Sequence, residues 1–495
     1  MRALDRATSA EVGLPGLVMM ETAGRAVAAA AQALRGARGG RIAVVCGPGN
    51  NGGDGYVVAR VLRAHGVDVA CYRAGDRTAV TGDAATQLAV LEKSGGRVVD
   101  IATPAGLAAI GDGITGAAVA VDALFGVGLA RDITGHLAEV VAQINRARAR
   151  LAVDVPSGLD ADTGRTLGAC VRADVTVSTG PLKIAHVSAP GFAACGRVEV
   201  CEIGVPAARI EAAATAWLVE EVDVARWLPR GTPLDHKGTR GHVLVVGGAP
   251  EMRGAGRLAA EAALRAGAGL VTLAGDGDVA APDSIMTAGL AGGALGDRLR
   301  GKRAVVIGPG LGSSAVARAR VDEVLASGVA AVLDADALNL LAADLPALAG
   351  ARGPVVVTPH PGEAARLLGS TTAEVEADRV TAARGLVERT RATVVLKGAR
   401  TIIAFGAAGS APATCWIVAA GSPALGTGGS GDVLAGTIGA LLAQGVPPAE
   451  AAAIAVFAHG RAGEQLAQIH GERGVVSSDL PPAIASVIAT IPRLP

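Results

Sequence analysis

The sequence predicts two consecutive α/β domains, each built on a largely parallel sheet covered by helices. Short β-rich runs alternate with alanine-rich stretches of helical length through both halves, the pattern of strands joined by crossover helices. Glycine-rich loops link strand to helix in each half. Those loops do not align with each other, so the halves are different domains and not a duplication. At 495 residues the chain also exceeds what one hydrophobic core usually organises.

In the first half the expected strands cover residues 41–46, 67–72, 118–123, 151–155, 175–178 and 198–202, with helices between the earlier ones. Across residues 206–233 the rhythm breaks into a mixed segment holding Trp217 and Trp227, after which a strand is expected at 242–246. A boundary near residue 216 follows, giving domains 1–216 and 217–495. The second half repeats the alternation, with strands expected at 270–273, 304–307, 330–333, 355–358 and 393–396.

Composition limits the partners. Lys plus Arg and Asp plus Glu each total 45, so there is no net basic field to draw in nucleic acid or an anionic membrane. Residues 406–431 are uncharged but are broken too often by glycine, proline, serine and threonine for a membrane helix. The 6 cysteines form no zinc-type array with the 8 histidines and read as reduced thiols. Residues 1–10 carry Arg2, Asp5 and Arg6 where a secretory leader needs an apolar run. A cytoplasmic protein acting on small molecules is expected, with a homo-oligomer as its state. The 70 glycines fit either backbone turns near phosphates or a glycine-rich proteome.

The first polar constellation begins where strand 41–46 runs into Gly47-Pro48-Gly49-Asn50-Asn51-Gly52-Gly53-Asp54-Gly55, followed by a helix expected from Tyr56. A helix N-terminus there presents free N–H groups, and glycine admits a phosphate without Cβ clashes. The run also fits the dinucleotide fingerprint, but the second strand ends in Arg73 where an acidic residue belongs, which disfavours a conventional dehydrogenase. Asn50, Asn51 and Asp54 fill the loop with oxygens, and two more strand ends add Asp122 and Asp154-Val155-Pro156-Ser157. Ligands bind at carboxyl ends of parallel strands; a turn-capping role for the aspartates is the competing reading.

These motifs, with the helix around Met19-Met20-Glu21-Thr22-Ala23-Gly24-Arg25, resemble the NAD(P)H-hydrate epimerase family over roughly residues 1–210. The resemblance implies a Rossmann-like sheet. It also implies a hydrate site made of Asn50, Asn51, Gly52, Gly53, Asp54, of Gly126, Val127, Gly128, Leu129, Ala130, Arg131, Asp132, and of Asp154. Potassium would be held by Asn51, Asp122 and Ser157, hard oxygen ligands that suit such a cation. Inverting the hydroxylated carbon beside the ring nitrogen requires C–O cleavage with water re-addition, or ring opening and closure. Either route moves protons, and Asp154 is the candidate acid/base.

The second constellation is Gly426-Thr427-Gly428-Gly429-Ser430-Gly431-Asp432 before a helical stretch. Its N–H groups form an anion hole for a phosphoryl group, beside a carboxylate able to take a hydroxyl proton. Together with His236-Lys237-Gly238, Gly308-Pro309-Gly310-Leu311-Gly312, Asp334-Ala335-Asp336, Thr358-Pro359-His360-Pro361-Gly362-Glu363 and Lys397-Gly398-Ala399, it resembles the ADP-dependent NAD(P)H-hydrate dehydratase, of ribokinase-like fold, over about residues 220–490. Gly421-Ser422 and Ala424-Leu425 depart from the family's usual Gly-Asn and Met-Ala.

That resemblance implies that Ala255, Gly310 or Gly312, His360 and Asp432 line a hydrate pocket, with Asp432 as base. Lys397, Gly398, Ala399, Arg400, Thr401 and Gly431 would hold ADP, the phosphoryl donor, used with magnesium. Asp334 and Asp336 either turn the chain or hold magnesium through water. Phosphorylating the hydroxyl makes it a good leaving group, so its loss with a ring proton regenerates the dihydronicotinamide. The competing reading is a small-molecule kinase of hydroxymethylpyrimidine or thiazole type, preceded by a non-catalytic nucleotide sensor.

Overall fold

Strands whose residues are apolar at every position need helices on both faces, and both halves of the chain meet that need. The computed structural model describes residues 2–492 except 38, 277–278, 291–292 and 407–411. The chain divides into two compact units, Met1–Ala214 and Thr215–Pro495.

The first unit holds strands β1 (Ile42–Cys46), β2 (Val69–Arg73), β3 (Val98–Asp100), β4 (Val119–Ala123), β5 (Arg150–Val153), β6 (Val175–Thr179) and β7 (Arg197–Cys201) in the order β3-β2-β1-β4-β5-β6-β7. Every neighbouring pair is parallel. The two-residue period of the strands sorts the core into two layers. Ile42, Val44 and Cys46 pack with Val27, Val57 and Leu62 on one face. Ala43 and Val45 pack with Leu124, Val140 and Ile144 on the other. Strand order reverses between β1 and β4, which opens a crevice at their carboxyl ends.

The second unit contains β8 (Trp217–Val219), β9 (His242–Val246), β10 (Leu270–Gly275), β11 (Met286–Gly289), β12 (Ala304–Ile307), β13 (Ala330–Leu333), β14 (Val355–Val357), β15 (Thr393–Leu396), β16 (Ile402–Phe405) and β17 (Thr414–Val418). Its order is β11-β10-β9-β12-β13-β14-β15-β16-β17-β8. The sheet departs from the parallel expectation at one end, because β15, β16 and β17 pair antiparallel. The segment expected to be mixed supplies β8, which pairs parallel with β17. Trp227 from the same segment stacks on Trp416 with ring centroids 4.6 Å apart. Every expected strand forms, but β3, β11, β16 and β17 carry no signal in the alternation; β3 and β11 are short, largely exposed edges.

Helices Arg253–Arg265, Ser430–Ala443 and Pro448–His470 bury alanines against one face of this sheet. Alanine permits a close approach, and Gly436 makes the approach closer still, since a Cβ there would run into the Ala259 carbonyl oxygen. Gly436→Ala gains about 1 kcal/mol of helix propensity. The clash is with backbone, which no rotamer change relieves, and overpacking of this kind costs about 1–3 kcal/mol. A net loss of about 1 kcal/mol is expected, read as a lowered thermal midpoint for the second unit; an unchanged midpoint would mean that the helices part freely.

Candidate active sites

β1 ends at Cys46, and the chain turns through Gly47, Pro48 and Gly49 into helix Asn50–Ala64. The residues expected to form a loop up to Gly55 are therefore the helix's own first turns. Glycine is a poor helix former, yet tertiary packing overrides that preference here. A Cβ on Gly52 would strike the Gly47 carbonyl, and one on Gly55 would lie 2.7 Å from both the Ala123 Cβ and the Cys46 Sγ. These glycines press the helix start onto the strand ends; of the run, Gly49 faces open space.

Asn50 is exposed, whereas the side-chain nitrogen and oxygen of Asn51 are buried and meet no hydrogen-bond partner among the described residues. Gly126 lies against Asn51 and Asp154: a Cβ there would sit 3.4 Å from the Asn51 Cγ and 3.4 Å from the Asp154 Oδ2. Its neighbour Phe125 contacts Ser157, whose hydroxyl accepts from the Phe125 N–H at 2.9 Å and donates to the Asp122 Oδ1 at 2.6 Å. The Ser157 N–H also donates to the Asp122 Oδ2 at 2.8 Å. Burial pushes the Asp122 carboxyl up to about 6, against the pull of these hydrogen bonds. The adjacent contacts of Phe125 and Gly126 thus link Asn51, Asp122 and Ser157. A buried amide oxygen with no partner among the described residues, one loop residue removed from the Ser157–Asp122 pair, is a hard oxygen of the kind that suits a monovalent cation.

Asp154 follows β5 in a left-handed conformation, φ +68°, a strained setting for any residue but glycine that aspartate tolerates better than most. Its Oδ1 accepts from the Thr179 hydroxyl at 2.8 Å, the Thr179 N–H at 3.1 Å and the Lys183 ammonium. His186 donates from Nε2 to the Asp154 carbonyl at 2.8 Å while its Nδ1 accepts the Lys183 N–H. Burial alone would raise the Asp154 carboxyl, but Lys183 and the Thr179 hydrogen bonds hold it below the usual range. Burial and the same lysine push His186 down to about 4, so it stays neutral. Lys183, Thr179 and His186 were not singled out in the sequence. Lys183 stands four residues beyond the end of β6, and a lysine just past a strand end is the signal that was available.

A cavity of about 650 Å³ opens at this crevice, lined by Asn50, Asp54, Val127 and Asp154 together with Asp5, Arg6, Ser9, Asp83, Met19 and Thr179. Among the expected residues, Gly128, Ala130, Arg131 and Asp132 are exposed and do not line it, and Leu129 packs beside the core layer of Leu124. Gly52 and Gly53 are buried beneath it. Its wall from residues 5–10 came from a segment read in the sequence only for the absence of a leader.

In the second unit, the carboxyl ends of adjacent strands converge. After β12, the Pro309 carbonyl accepts from the Gly248 N–H at 3.0 Å, and Gly310 touches Ala255: a Cβ on Gly310 would lie 3.3 Å from that of Ala255. The Gly312 N–H donates to the Asp336 Oδ2 at 2.8 Å. After β13, buried Asp334 accepts from the Thr358 hydroxyl at 2.8 Å and the Lys397 ammonium at 2.7 Å. Ala335, between the two aspartates, holds φ +47°.

His360 caps helix Pro361–Leu368, its Nδ1 accepting from the Gly362 N–H at 3.0 Å, and Glu363 returns the bond to the His360 N–H at 2.8 Å. Glu363 also faces Lys397 at 3.9 Å. Residues 397–401 form the hairpin turn from β15 to β16, with Gly398 at φ +135° and Arg400 at φ +59°. Buried Arg379 donates to the carbonyls of Leu396 and Lys397 at 3.2 and 3.1 Å and fixes that turn, a support that no local motif announces. Gly398 and Ala399 are exposed, and the Thr401 hydroxyl donates to the Gly398 carbonyl at 3.1 Å.

Over this cluster sits the start of helix Ser430–Ala443, capped by Gly429 at φ +90°. A Cβ on Gly431 would lie 3.3 Å from the Lys397 Nζ and 3.7 Å from the Asp334 Oδ2. Buried His459 binds both the hydroxyl and the carbonyl of Ser430, at 3.2 and 3.1 Å, and anchors the turn from beneath. Burial, then the charge of Asp334, pushes the Asp432 carboxyl up to about 7, with Lys397 opposing them. Lys397 itself is raised, because the carboxylates around it outweigh its burial. Among the described residues no group of histidine, cysteine and acidic side chains gathers as a ready metal site. The arrangement offers a cation and backbone N–H groups for phosphate, and a carboxylate poised to exchange a proton near neutrality.

Residues 16–185 match the family profile described as YjeF-related protein N-terminus, and residues 243–486 match that of NAD(P)H-hydrate dehydratase. The chain is 41% identical over 504 residues to the bifunctional NAD(P)H-hydrate repair enzyme Nnr of Moorella thermoacetica, across 97% of this chain and 94% of that one. It is 38% identical over 496 residues to the enzyme of the same name from Coxiella burnetii, across 99% and 98%. Among solved structures, the ADP/ATP-dependent NAD(P)H-hydrate dehydratase of Bacillus subtilis, co-crystallized with ATP/Mg2+, is 28% identical with a TM-score of 0.49, across 57% of this chain and 100% of that one. The chain belongs to the family of bifunctional NAD(P)H-hydrate repair enzymes.

Proposed function

We infer that this chain restores hydrated NADH and NADPH by two successive reactions. The first unit interconverts the R and S hydrates, and the second dehydrates the S form at the expense of ADP. The observation that carries the reading is that each unit gathers its polar strand ends around one carboxylate. Asp154 stands in a cavity of about 650 Å³, the size of a small-molecule site, and Asp432 stands at a helix N-terminus beside a lysine. A match to the dehydratase profile across residues 243–486 favours repair over a small-molecule kinase.

In the first unit, Lys183 and Thr179 keep Asp154 ionised, so it enters the reaction as a proton acceptor. Asn51, Asp122 and Ser157 would hold potassium, whose charge would help fix the hydrate's polar groups in place. In the second unit, Lys397 and the N–H groups of the helix start would hold the nucleotide phosphates, while Asp432 takes the proton of the attacking hydroxyl. His360, Ala255, Gly310 and Gly312 would shape the hydrate side. Magnesium would arrive with the phosphates, keeping its waters towards Asp334 and Asp336. The 6 free cysteines suit a reducing, cytoplasmic setting, and no helix among the described residues is long and apolar enough to cross a membrane.

Incubation with a mixture of hydrate epimers and ADP should recover the full dihydronicotinamide absorbance, whereas build-up of a phosphorylated alcohol would instead identify a kinase. Residues 215–495 alone should repair one epimer at full speed and the other only as fast as it converts spontaneously. Adding residues 1–214 should remove that lag, and full-speed repair of both epimers without them would leave the first unit no epimerase role.

Asp154→Asn keeps the shape of the side chain but not its basicity. Epimerisation measured by chromatography should fall about 10²- to 10⁴-fold with hydrate binding retained. An unchanged rate would reduce Asp154 to a turn residue.

Asp432→Asn should lower ADP-dependent repair by a similar factor, about 10²- to 10⁴-fold, and leave epimerisation intact. Since a base works in its ionised form, kcat/KM for dehydration should drop as pH falls through about 7. Lys397→Met, which removes the charge that holds Asp432 down, should move that limb to higher pH. A limb that ignored Lys397, or Asp432→Asn retaining over about a tenth of wild-type turnover, would place the base elsewhere.

A further inference from the structure

The cavity of the first unit is unusually acidic for one expected to receive part of a dinucleotide. Asp5 reaches it from helix Arg2–Ala7, Asp54 from helix Asn50–Ala64, Asp83 from helix Gly82–Lys93, and Asp154 from the end of β5. Arg6 is the cationic residue in its lining, and Lys183 stands behind Asp154. Such a wall, with the Asp154 charge met by Lys183, presents carboxyls more than cations to a ligand. It suits the neutral ring and ribose of the hydrate, and above all a positive charge that develops on that ring.

We propose, building on the epimerase reading above, that epimerisation runs by C–O cleavage through a ring cation, with Asp54 as the acid and Asp154 as the base. The hydroxylated carbon is bonded to the ring nitrogen. The nitrogen lone pair forms a C=N⁺ bond as the C–O bond breaks, and the departing oxygen takes the proton of Asp54 and leaves as water. A solvent water then adds to the opposite face of the flat cation, the C=N⁺ electron pair returns to nitrogen, and the added water gives a proton to Asp154. Solvent carries that proton back to Asp54, so each cycle exchanges one water and consumes nothing else. Ring opening, the other route, would need the C–N bond to break and would develop no cation for the acidic wall to stabilise.

Three features of the site support this division of labour. The Asp154 Oδ1 is engaged by Thr179 and Lys183, which turns Oδ2 towards Gly126 as the free edge of a fixed carboxylate. Asp54 forms no ion pair among the described residues: burial, then the charges of Asp154 and Asp5, raise its carboxyl well above the ordinary range against a weaker opposing pull from Lys183, and so favour its protonated form. Two carboxyls that line one cavity are thereby shifted in opposite directions, as an acid and base pair requires. The Asp5 Oδ1 is buried without a partner among the described residues and burial raises its carboxyl, so the segment preceding the family-profile match at residue 16 contributes one more carboxyl to the same wall.

The test uses the full chain and one hydrate epimer in ¹⁸O-enriched water without nucleotide. Each epimerisation event should place one solvent oxygen on the product epimer, read by mass spectrometry against the enzyme-free rate. Product that keeps its original oxygen, or enzyme-dependent capture of a ring-opened aldehyde by hydroxylamine, overturns the proposal. Absence of any enzyme-dependent epimerisation would instead reject the epimerase reading beneath it. In parallel, Asp54→Asn should slow epimerisation by about 10²- to 10⁴-fold, with Asp54→Glu recovering part of the loss. An Asp54→Asn rate within tenfold of wild type removes Asp54 from the role.

Discussion

Both units depend on backbone pressed directly against backbone, at distances only a missing side chain allows. A Cβ on Gly52 would enter the Gly47 carbonyl, one on Gly308 the Asp334 carbonyl, and one on Gly436 the Ala259 carbonyl. The first two contacts set a helix start or a crossing loop onto the carboxyl end of a strand, where parallel α/β sheets bind their ligands, and the third brings two helices together on one face of the sheet. Position follows from contact: once the helix Asn50–Ala64 is seated on β1 and β4, Asn50 and Asp54 face the crevice. The glycine content of the chain thus has a structural use beyond the phosphate approach that its loops suggest.

On that frame the two sites treat carboxylates in different ways. In the first unit one buried lysine serves one aspartate, so Asp154 is held below the usual carboxylate range while burial raises Asp54 above it. In the second unit Lys397 is shared among Asp334, Glu363 and Asp432, so no single carboxylate has its full charge. Asp432 is left near neutrality as a result, able to accept a proton and to release it again. Burial supplies the upward push in both cases, and the position of one ammonium decides which group escapes it.

Much of this could be read from the chain because strands and glycine loops are local signals. The strands that bear the sites, their order of appearance, and the residues of the two glycine-rich helix starts are all explicit in the alternation of apolar and polar runs. What could not be read depends on tertiary partners. Whether Asn50–Gly55 is loop or helix turns on packing against Met20, Ala84 and Ala123, which glycine propensity alone does not foresee. The support from Lys183, His186, Arg379 and His459 arises because distant segments meet at one strand end. The antiparallel hairpin of β15 and β16 escaped notice because its turn, 397–401, matched a nucleotide-binding motif first.

The pairing of these two chemistries on one chain follows from their energetics and needs no shared site. Water adds to either face of the dihydronicotinamide, and a chiral pocket processes one of the two products. Epimerisation has no driving force of its own and only relaxes the hydrates towards their equilibrium ratio. Dehydration coupled to nucleotide hydrolysis is strongly downhill, so removing one epimer draws the other through the first unit by mass action. Equal amounts of the two catalysts in one place are sufficient, and a single polypeptide guarantees both. The two reactions have the hydrate in common, so each unit's chemistry is tuned by its own glycine contacts and its own charge arrangement.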